Sequence, residues 1–268
     1  MADSGIRGHQ PARAISLSPG AAGPGTVKCH DAPTLPMASG LDREKAAAAR
    51  AAAAQVREGQ LLALGTGTTA AFVVREIARR FPDGGRLVGV ASSRATEALA
   101  KGLGLAVRPL GPDDRFDLML DGADEVSDAL DLTKGGGGAL FREKLLARRS
   151  KRLLIVVDST KLVAHLGTRA PIPVEVVPFA KPVVVDALLE LGLPNRLRTV
   201  PGSDRPFLTD NGLELLDVWP PHPIESPAEF DAQLHRLTGV VETGLFVGMA
   251  DRVYVGRPDG TVDERARV

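Results

Sequence analysis

Cysteine is almost absent from this chain, which has 268 residues and a single one, Cys29. One thiol can form neither an internal disulfide nor a thiolate metal site. The histidines are few and lack metal-binding spacing; they are His9, His30, His165, His222 and His235. No apolar run is long enough to cross a membrane. These absences indicate a reducing compartment, so we expect a cytoplasmic protein with no metal and no membrane partner.

The chain also has no net charge. Lysine plus arginine and aspartate plus glutamate number 33 each, so nothing attracts the whole protein to nucleic acid or to an anionic surface. We therefore expect no nucleic-acid partner, and any bound anion must be held by local groups. With 44% apolar and 25% charged residues, the composition is that of a globular protein with a sizeable core.

The first 38 residues lack apolar periodicity and are rich in Gly, Pro, Ala and Ser. This composition predicts a disordered N-terminal extension over 1–38. It has no compact apolar segment of the kind that a secretory signal needs. An organellar transit peptide is one alternative, since Arg7 and Arg13 are present and acids are few. We favour a tail without function or an over-extended gene start, with Met37 as the true first residue.

Between residues 39 and 170, apolar strands alternate with helices. Ser39 and Asp42 form a capping pattern at the start of the first helix. Strands that are apolar on both faces indicate a parallel sheet covered by helices. The predicted strands are 60–64, 87–90, 105–107, 116–120 and 153–157, and the predicted helices are 46–56, 70–81, 94–101 and 139–149. Ligands of such sheets bind at the carboxyl ends of the strands.

The pattern changes after residue 170, where prolines punctuate shorter elements. Predicted strands lie at 174–177, 207–209 and 213–218, and predicted helices at 182–191 and 227–237. The last two strands are joined by an Asp-Asn-Gly turn, which favours a hairpin. We predict an α/β protein: a Rossmann-like catalytic domain made of residues 39–170 and 239–268, and a smaller α+β domain made of residues 171–238.

A glycine- and threonine-rich loop follows the first strand. Its members are Gly65, Thr66, Gly67, Thr68 and Thr69. Glycine lets backbone N–H groups approach an anion closely, and the start of the next helix adds a positive dipole end. The loop therefore fits one phosphate. With the next alanine it also matches the dinucleotide pattern, but no acid follows the second strand to hold a ribose, and a plain tight turn remains an alternative.

Two carboxylates lie three residues apart after the fourth strand. Asp121 and Asp124, separated by Gly122 and Ala123, would raise one another's pKa, which suits a proton carrier or an acceptor for a sugar hydroxyl. A divalent cation is a weaker reading, because two aspartates alone make an unusual metal site. A turn with solvated acids is the structural alternative.

Lys134 precedes a run of glycines that includes Gly135, Gly136 and Gly137. Ordering so many glycines before a helix costs conformational entropy, and this cost is explained where a ligand must approach the backbone closely. Lys134 can supply positive charge to an oxyanion, although a flexible linker would look similar. Glu143, about one turn into the following helix, is our candidate base; the helix dipole would lower its pKa and the two aspartates would oppose that effect. A surface glutamate paired with a cation is the alternative.

Two further lysines can reach the same edge of the sheet. Lys161 follows the strand that ends near Asp158, and Lys45 lies on the first helix. Either could close over the anion of a substrate. Taken singly, each is as easily explained as a solvated surface lysine.

Together these pieces resemble the ribose-5-phosphate isomerases of type A, enzymes of the pentose phosphate pathway. The resemblance covers about residues 39–262. The stretches that carry it are 65–69, 91–93, 121–125, 134–137, 142–144, 158 with 161, 173–176, 209–212 and 244–246. Two departures are mild, since Thr68 stands where the family usually has Ser and Leu213 where it usually has Asn.

The resemblance implies an aldose–ketose isomerase that interconverts ribose 5-phosphate and ribulose 5-phosphate without metal or organic cofactor. It also implies that Glu143 is the base, that 66–69, 121–124 and 134–137 contact substrate together with Lys161 and Lys45, and that the protein is a homodimer or homotetramer. From the residues themselves, one carboxylate can move a proton between adjacent carbons, Lys134 can stabilise the enediolate, and either aspartate can serve ring opening.

Three other functions fit parts of the pattern. In a coenzyme A transferase Glu143 would attack a thioester and form a covalent intermediate, which requires a long groove. A sugar-phosphate sensor would need a DNA-binding module and no acid–base set. A nicotinamide dehydrogenase would need an acid after the second strand, where 91–93 has none.

Overall fold

The computed structural model of the protein describes residues 39–267; the predictions for residues 1–38, including Met37, lie outside this range. The helices are α1 (Gly40–Ala53), α2 (Thr68–Arg80), α3 (Arg94–Gly102), α4 (Leu140–Arg148), α5 (Lys181–Glu190) and α6 (Pro227–His235). The strands are β1 (Leu61–Leu64), β2 (Val88–Ala91), β3 (Ala106–Val107), β4 (Leu118–Asp121), β5 (Glu125–Val126), β6 (Leu132–Thr133), β7 (Leu153–Asp158), β8 (Ile172–Val176), β9 (Asn195–Leu197), β10 (Glu214–Val218), β11 (Val240–Thr243), β12 (Leu245–Phe246), β13 (Arg252–Gly256) and β14 (Val262–Ala266).

A seven-stranded sheet in the order β14-β13-β7-β4-β1-β2-β3 forms the centre of the molecule. All its neighbouring strands are parallel except β13 and β14. Residues of α1 and α2 cover one face, where Ala52 and Ile77 are fully buried, and α4 covers the other through Leu146. Helices on both faces explain why the strands are apolar throughout, and the predicted α/β class is confirmed.

Two smaller antiparallel sheets complete the fold. One has the order β11-β8-β10-β9 and packs against α5 and α6 through Val184, Leu188 and Leu234. The other has the order β12-β6-β5. The four-stranded sheet extends to Thr243, a few residues beyond the predicted end of the small domain at 238. The division into two domains stays a prediction.

The longer elements lie close to their predicted positions, and the shorter ones do not. Ser39 caps α1 as predicted, with its Oγ accepting from the Asp42 N–H at 3.3 Å. The predicted strand 207–209 is wrong, because Leu208 makes only a single bridge to Glu214 there. No strands were predicted at β5, β6, β9, β11 or β14.

The loops that follow β1, β4 and β7 meet at one edge of the central sheet, because these strands are adjacent and parallel. This edge holds the residues that the sequence singled out. Within residues 39–267, no helix combines the length and the apolar character that crossing a bilayer requires.

Candidate active site

A single cleft at the carboxyl edge of the central sheet brings the predicted residues together. Every residue predicted to bind substrate lines it, with the exception of Asp121. The lining residues are Lys45, Thr66, Gly67, Thr68, Thr69, Gly122, Ala123, Asp124, Lys134, Gly135, Gly136, Gly137, Glu143 and Lys161. Six separate stretches of sequence therefore converge on one space.

The start of α2 opens into this cleft. Gly67 caps the helix with φ +99°, a conformation that favours glycine. The Thr66 N–H donates to Asp121 Oδ1 at 3.2 Å, and the Thr66 hydroxyl lies 2.6 Å from the hydroxyl of buried Ser92. Thr66 is thus held from two sides, while the first N–H groups of α2 face the cleft as anion donors.

Asp121 lies beneath the cleft instead of lining it, and its contact with substrate stays a prediction. Its side chain is completely buried, and its Oδ1 also accepts from the Gly122 N–H at 2.7 Å. A Cβ on Gly65 would come within 2.0 Å of Asp121 Cγ, so glycine is required there. Burial raises the pKa of Asp121, and the charge of Lys134 only partly opposes this.

Lys134 is the cation at the centre of the site. Its Nζ donates to the Gly122 carbonyl at 2.7 Å. The same nitrogen lies 2.8 Å from Asp121 Oδ2 and 3.2 Å from Glu143 Oε2, so it forms an ion pair with each carboxylate. Burial opposes the charge of Lys134, yet the two carboxylates outweigh burial and raise its pKa. Lys134 therefore stays protonated.

Glu143 is buried at 3% exposure in the first turn of α4. Its Oε2 lies 3.2 Å from the Lys134 ammonium, and Glu143 also lines the cleft. Burial, followed by the charge of Asp121, raises the pKa of Glu143 to about 8. These two effects outweigh the predicted lowering of the Glu143 pKa by the helix dipole. A carboxylate with this pKa is a stronger proton acceptor than an ordinary glutamate.

The glycine loop is shaped around Asp124. The Gly136 N–H donates to Asp124 Oδ2 at 2.7 Å, and a Cβ on Gly136 would lie 2.7 Å from Asp124 Oδ1. Gly135 has φ +102°, which side chains rarely adopt. These contacts show that the loop is ordered, and the alternative of a flexible linker does not hold.

Lys45 and Lys161 enter the cleft from the side of β7. Lys45 Nζ lies 3.9 Å from Asp158 Oδ2, and Asp158 Oδ1 accepts from the Thr160 N–H at 3.1 Å. The neighbouring Glu44 accepts from the Ser159 N–H at 2.9 Å. The loop that carries Lys161 is therefore fixed to α1, and both lysines add positive charge to one end of the cleft.

Three residues near the site were not predicted to belong to it. Ser92 supports Thr66, Phe246 lies under Lys134 with its ring centroid 5.4 Å from Nζ, and Arg198 donates to the Gly135 carbonyl at 2.7 Å. Ser92 and Phe246 belong to the stretches 91–93 and 244–246 that carry the resemblance. Arg198 acts across a long sequence separation and leaves no local pattern.

Comparison with known proteins agrees with this geometry. Residues 88–260 match the family described as Ribose 5-phosphate isomerase A (phosphoriboisomerase A). The chain is 48% identical over 222 residues to the Ribose-5-phosphate isomerase A of Thermomicrobium roseum, covering 82% of this chain and 93% of that protein.

Solved structures give the same result. A D-ribose-5-phosphate isomerase in complex with phospho-erythronic acid has a TM-score of 0.81 and 33% identity, covering 85% of this chain and 99% of that one. Ribose 5-phosphate isomerase A from Methanocaldococcus jannaschii has a TM-score of 0.78 and 35% identity, covering 83% and 98% respectively. The chain therefore belongs to the ribose-5-phosphate isomerase A family.

Proposed function

We propose that this enzyme interconverts D-ribose 5-phosphate and D-ribulose 5-phosphate, with Glu143 as the base. The observation that carries the proposal is the position of that carboxylate. It is buried, has a pKa raised to about 8, lies 3.2 Å from the Lys134 ammonium, and lines the same cleft as the start of α2. A base and an anion site in one cleft are what a sugar phosphate isomerase needs.

The phosphate binds at the N-terminus of α2 in this proposal. Thr68 and Thr69 offer hydroxyl and N–H donors, and Lys45 and Lys161 line the same cleft. Cations and a helix dipole together hold a dianion in a chain that has no net charge. The phosphate does not react, so its binding energy serves to fix the sugar against the base.

Proton transfer then takes place at the opposite end of the sugar. Glu143 removes the proton from carbon 2 of the open aldose, and an enediolate forms as the carbonyl oxygen gains charge. Lys134, which stays protonated, stabilises that charge. The hydroxyl proton on oxygen 2 passes to oxygen 1, Glu143 returns the first proton to carbon 1, and the ketose results. Hydrogen and electrons move within one molecule, so the proposed reaction needs neither oxidant nor metal.

Asp124 is the better candidate for opening the sugar ring. It lines the cleft, whereas Asp121 is completely buried beneath it. A carboxylate in contact with the sugar can accept the proton of the ring hydroxyl. Asp121 instead keeps Lys134 charged and raises the pKa of Glu143.

Two predictions about the whole molecule belong with this proposal. Phe179 on the short turn before α5 is 96% exposed, and Val183 on α5 is 68% exposed. Apolar side chains in contact with water support assembly into a homodimer or homotetramer, which light scattering would measure. The cytoplasmic location stays a prediction.

The deciding experiment is NMR of ribose 5-phosphate with the purified enzyme in deuterated water. We expect ribulose 5-phosphate to form with deuterium at carbon 1, because a carboxylate that carries the proton exchanges it with solvent. Ketose without any deuterium would point to a hydride shift and contradict the role of Glu143. Absence of ketose would overturn the proposed activity itself.

A further inference from the structure

We propose that Arg198, locked by Asp217, is a positioning residue for the reaction, because it fixes the glycine loop so that the Gly137 N–H points into the cleft. This inference rests on the proposed function and extends it to residues of the small four-stranded sheet. Neither residue lines the cleft, and neither carries a local sequence signal.

The contacts of Arg198 join two parts of the fold. Its Nη1 donates to the Gly135 carbonyl at 2.7 Å and to the Gly136 carbonyl at 3.2 Å. Its Nε donates to Asp217 Oδ2 at 3.1 Å, and its Nη2 pairs with Asp217 Oδ1. Two parallel bonds to a carboxylate hold the guanidinium plane in one orientation, so the nitrogen that meets the loop has a defined position.

The geometry of the peptide bond means that this contact determines how the glycine loop is oriented. In a trans peptide the C=O of one residue and the N–H of the next point in opposite directions. Since the Gly135 C=O faces Arg198, the Gly136 N–H faces away and reaches Asp124 Oδ2 at 2.7 Å. The Gly136 C=O accepts from the same Arg198 nitrogen, so the Gly137 N–H also faces away from Arg198, toward the side where Asp124 borders the cleft.

The Gly137 N–H is available to a ligand. Within residues 39–267 it has no hydrogen-bond partner, and Gly137 lines the cleft. An unpaired backbone donor in the cleft that Lys134 also lines is suited to the oxygen that gains charge in an enediolate. Glycine alone would leave this donor free to rotate away, and Arg198 restricts it.

The test compares Arg198→Ala with the wild-type enzyme in steady-state kinetics. We expect kcat to fall about 10- to 100-fold, the range for a misplaced oxyanion donor, while KM for ribose 5-phosphate changes little. Inhibition separates the two ends of the cleft. Phospho-erythronic acid, whose carboxylate stands in for the enediolate oxygens, should inhibit about tenfold more weakly, whereas inorganic phosphate should inhibit as before.

Arg196→Ala is the matched control, because Arg196 lies on β9 two residues before Arg198, is exposed, and its side chain makes no hydrogen bond or ion pair within residues 39–267. It should keep the wild-type rate. Asp217→Asn, which keeps shape but removes the charge that locks Arg198, should lower kcat in the same direction by less. This variant also serves if Arg198→Ala does not fold.

Two results would overturn the inference. One is a folded Arg198→Ala or Asp217→Asn enzyme with the wild-type kcat. The other is equal weakening of inhibition by phospho-erythronic acid and by phosphate, which would mean general loosening of the cleft. A wild-type enzyme that does not isomerise ribose 5-phosphate would instead refute the proposed function, so the two failures are distinguishable.

Discussion

Two buried lysines lie close to one aromatic ring, and their pKa values are shifted in opposite directions. Lys134 Nζ is 5.4 Å and Lys144 Nζ is 5.0 Å from the centroid of the Phe246 ring. Both are almost completely buried. The pKa of Lys134 is raised, because two carboxylates outweigh burial. The pKa of Lys144 is lowered, because burial outweighs the charge of Glu242.

The surroundings of Lys144 are fully hydrogen-bonded. Lys144 donates to Glu242 Oε1 at 2.6 Å and to the Thr243 carbonyl at 2.8 Å. Glu242 also interacts with His235 Nε2 at 3.0 Å and accepts from the Thr243 N–H at 2.9 Å. Burial opposes ionisation of Glu242, but the His235 bond and the charge of Lys144 outweigh it and hold the pKa of Glu242 at about 2. Asp231 completes the set by bonding to His235.

The contrast separates a structural charge network from a reactive one. Around Lys144 each charge has aligned partners, so the network ties α4 to β11 and α6 and has nothing to offer a substrate. Around Lys134, the carboxylates of Asp121 and Glu143 share one ammonium group. Lys134 and Glu143 also line the cleft, so this second network is in contact with the space that a substrate would occupy.

The largest effect is expected from removing the base. Glu143→Gln keeps the size of the side chain but cannot accept a proton, so kcat should fall by about 10³ or more while KM stays nearly the same. The measurement is ketose formation under steady-state conditions. Near-normal turnover by this variant would show that the base is another residue.

Changing the two lysines tests the comparison directly. Lys134→Met should lower kcat by about 10²-fold or more, because the enediolate loses its cation. Lys144→Met leaves Glu242 without its buried partner, and removing one member of a buried pair costs about 3–5 kcal/mol of stability. Its folded fraction should turn over near the wild-type rate. Kinetics together with thermal unfolding would measure both, and equal loss of kcat in the two variants would remove the distinction.

The pH dependence should follow Glu143. Because burial and Asp121 raise its pKa to about 8, kcat/KM should rise about tenfold per pH unit below that value and then level off. Stability should change with the opposite sign. The folded protein binds more protons than the unfolded chain between pH 4.5 and about 8, so stability falls across that window.

Glu143→Gln is the control for this pH effect. Its melting temperature should decline less than that of the wild-type enzyme between pH 4.5 and about 8, because the raised pKa of Asp121 still contributes in both proteins. His235, whose pKa is raised to about 10 by hydrogen bonds to Asp231 and Glu242, loses its stabilising effect as pH rises from 6.5 to about 10 in both proteins. A decline of the same size in both would assign the lower window to another group.

A smaller effect is expected at the phosphate end. Lys161→Ala removes one of several groups that hold the dianion, so KM should rise about tenfold with little change in kcat. An unchanged KM would place Lys161 outside the site. Arg169→Ala, on the same loop but outside the cleft lining, is the control.

The smallest effect is expected from chelation. The proposed transfer uses a carboxylate and an ammonium group, so EDTA should leave the rate unchanged. Inhibition that added divalent metal reverses would restore the reading in which Asp124 holds a cation.

The elements that form from local signals could be predicted, and those that depend on distant partners could not. The strand, loop and helix around Gly67 are specified by consecutive residues. Their positions and the predicted anion site could therefore be inferred from the sequence. The burial of Asp121 depends on a Gly65 neighbour 56 positions earlier in the chain. Arg198 donates to backbone carbonyl groups 62 and 63 residues away. Every residue has such a carbonyl group, so the sequence does not reveal which ones Arg198 contacts. The two-residue strands β5 and β6 are too short to show periodicity.

The place of β13 in the central sheet has a consequence for synthesis on the ribosome. All the residues that line the cleft have been synthesised once Lys161 is added. Strand β7 can then pair with β4, but it gains its second neighbour, β13, only when residues 252–256 have been made. A Cβ on Gly256 would meet the Glu44 backbone at 2.0 Å, so the first helix closes against this late strand. A nascent chain therefore carries a complete set of reacting groups long before translation delivers the piece that holds them in place.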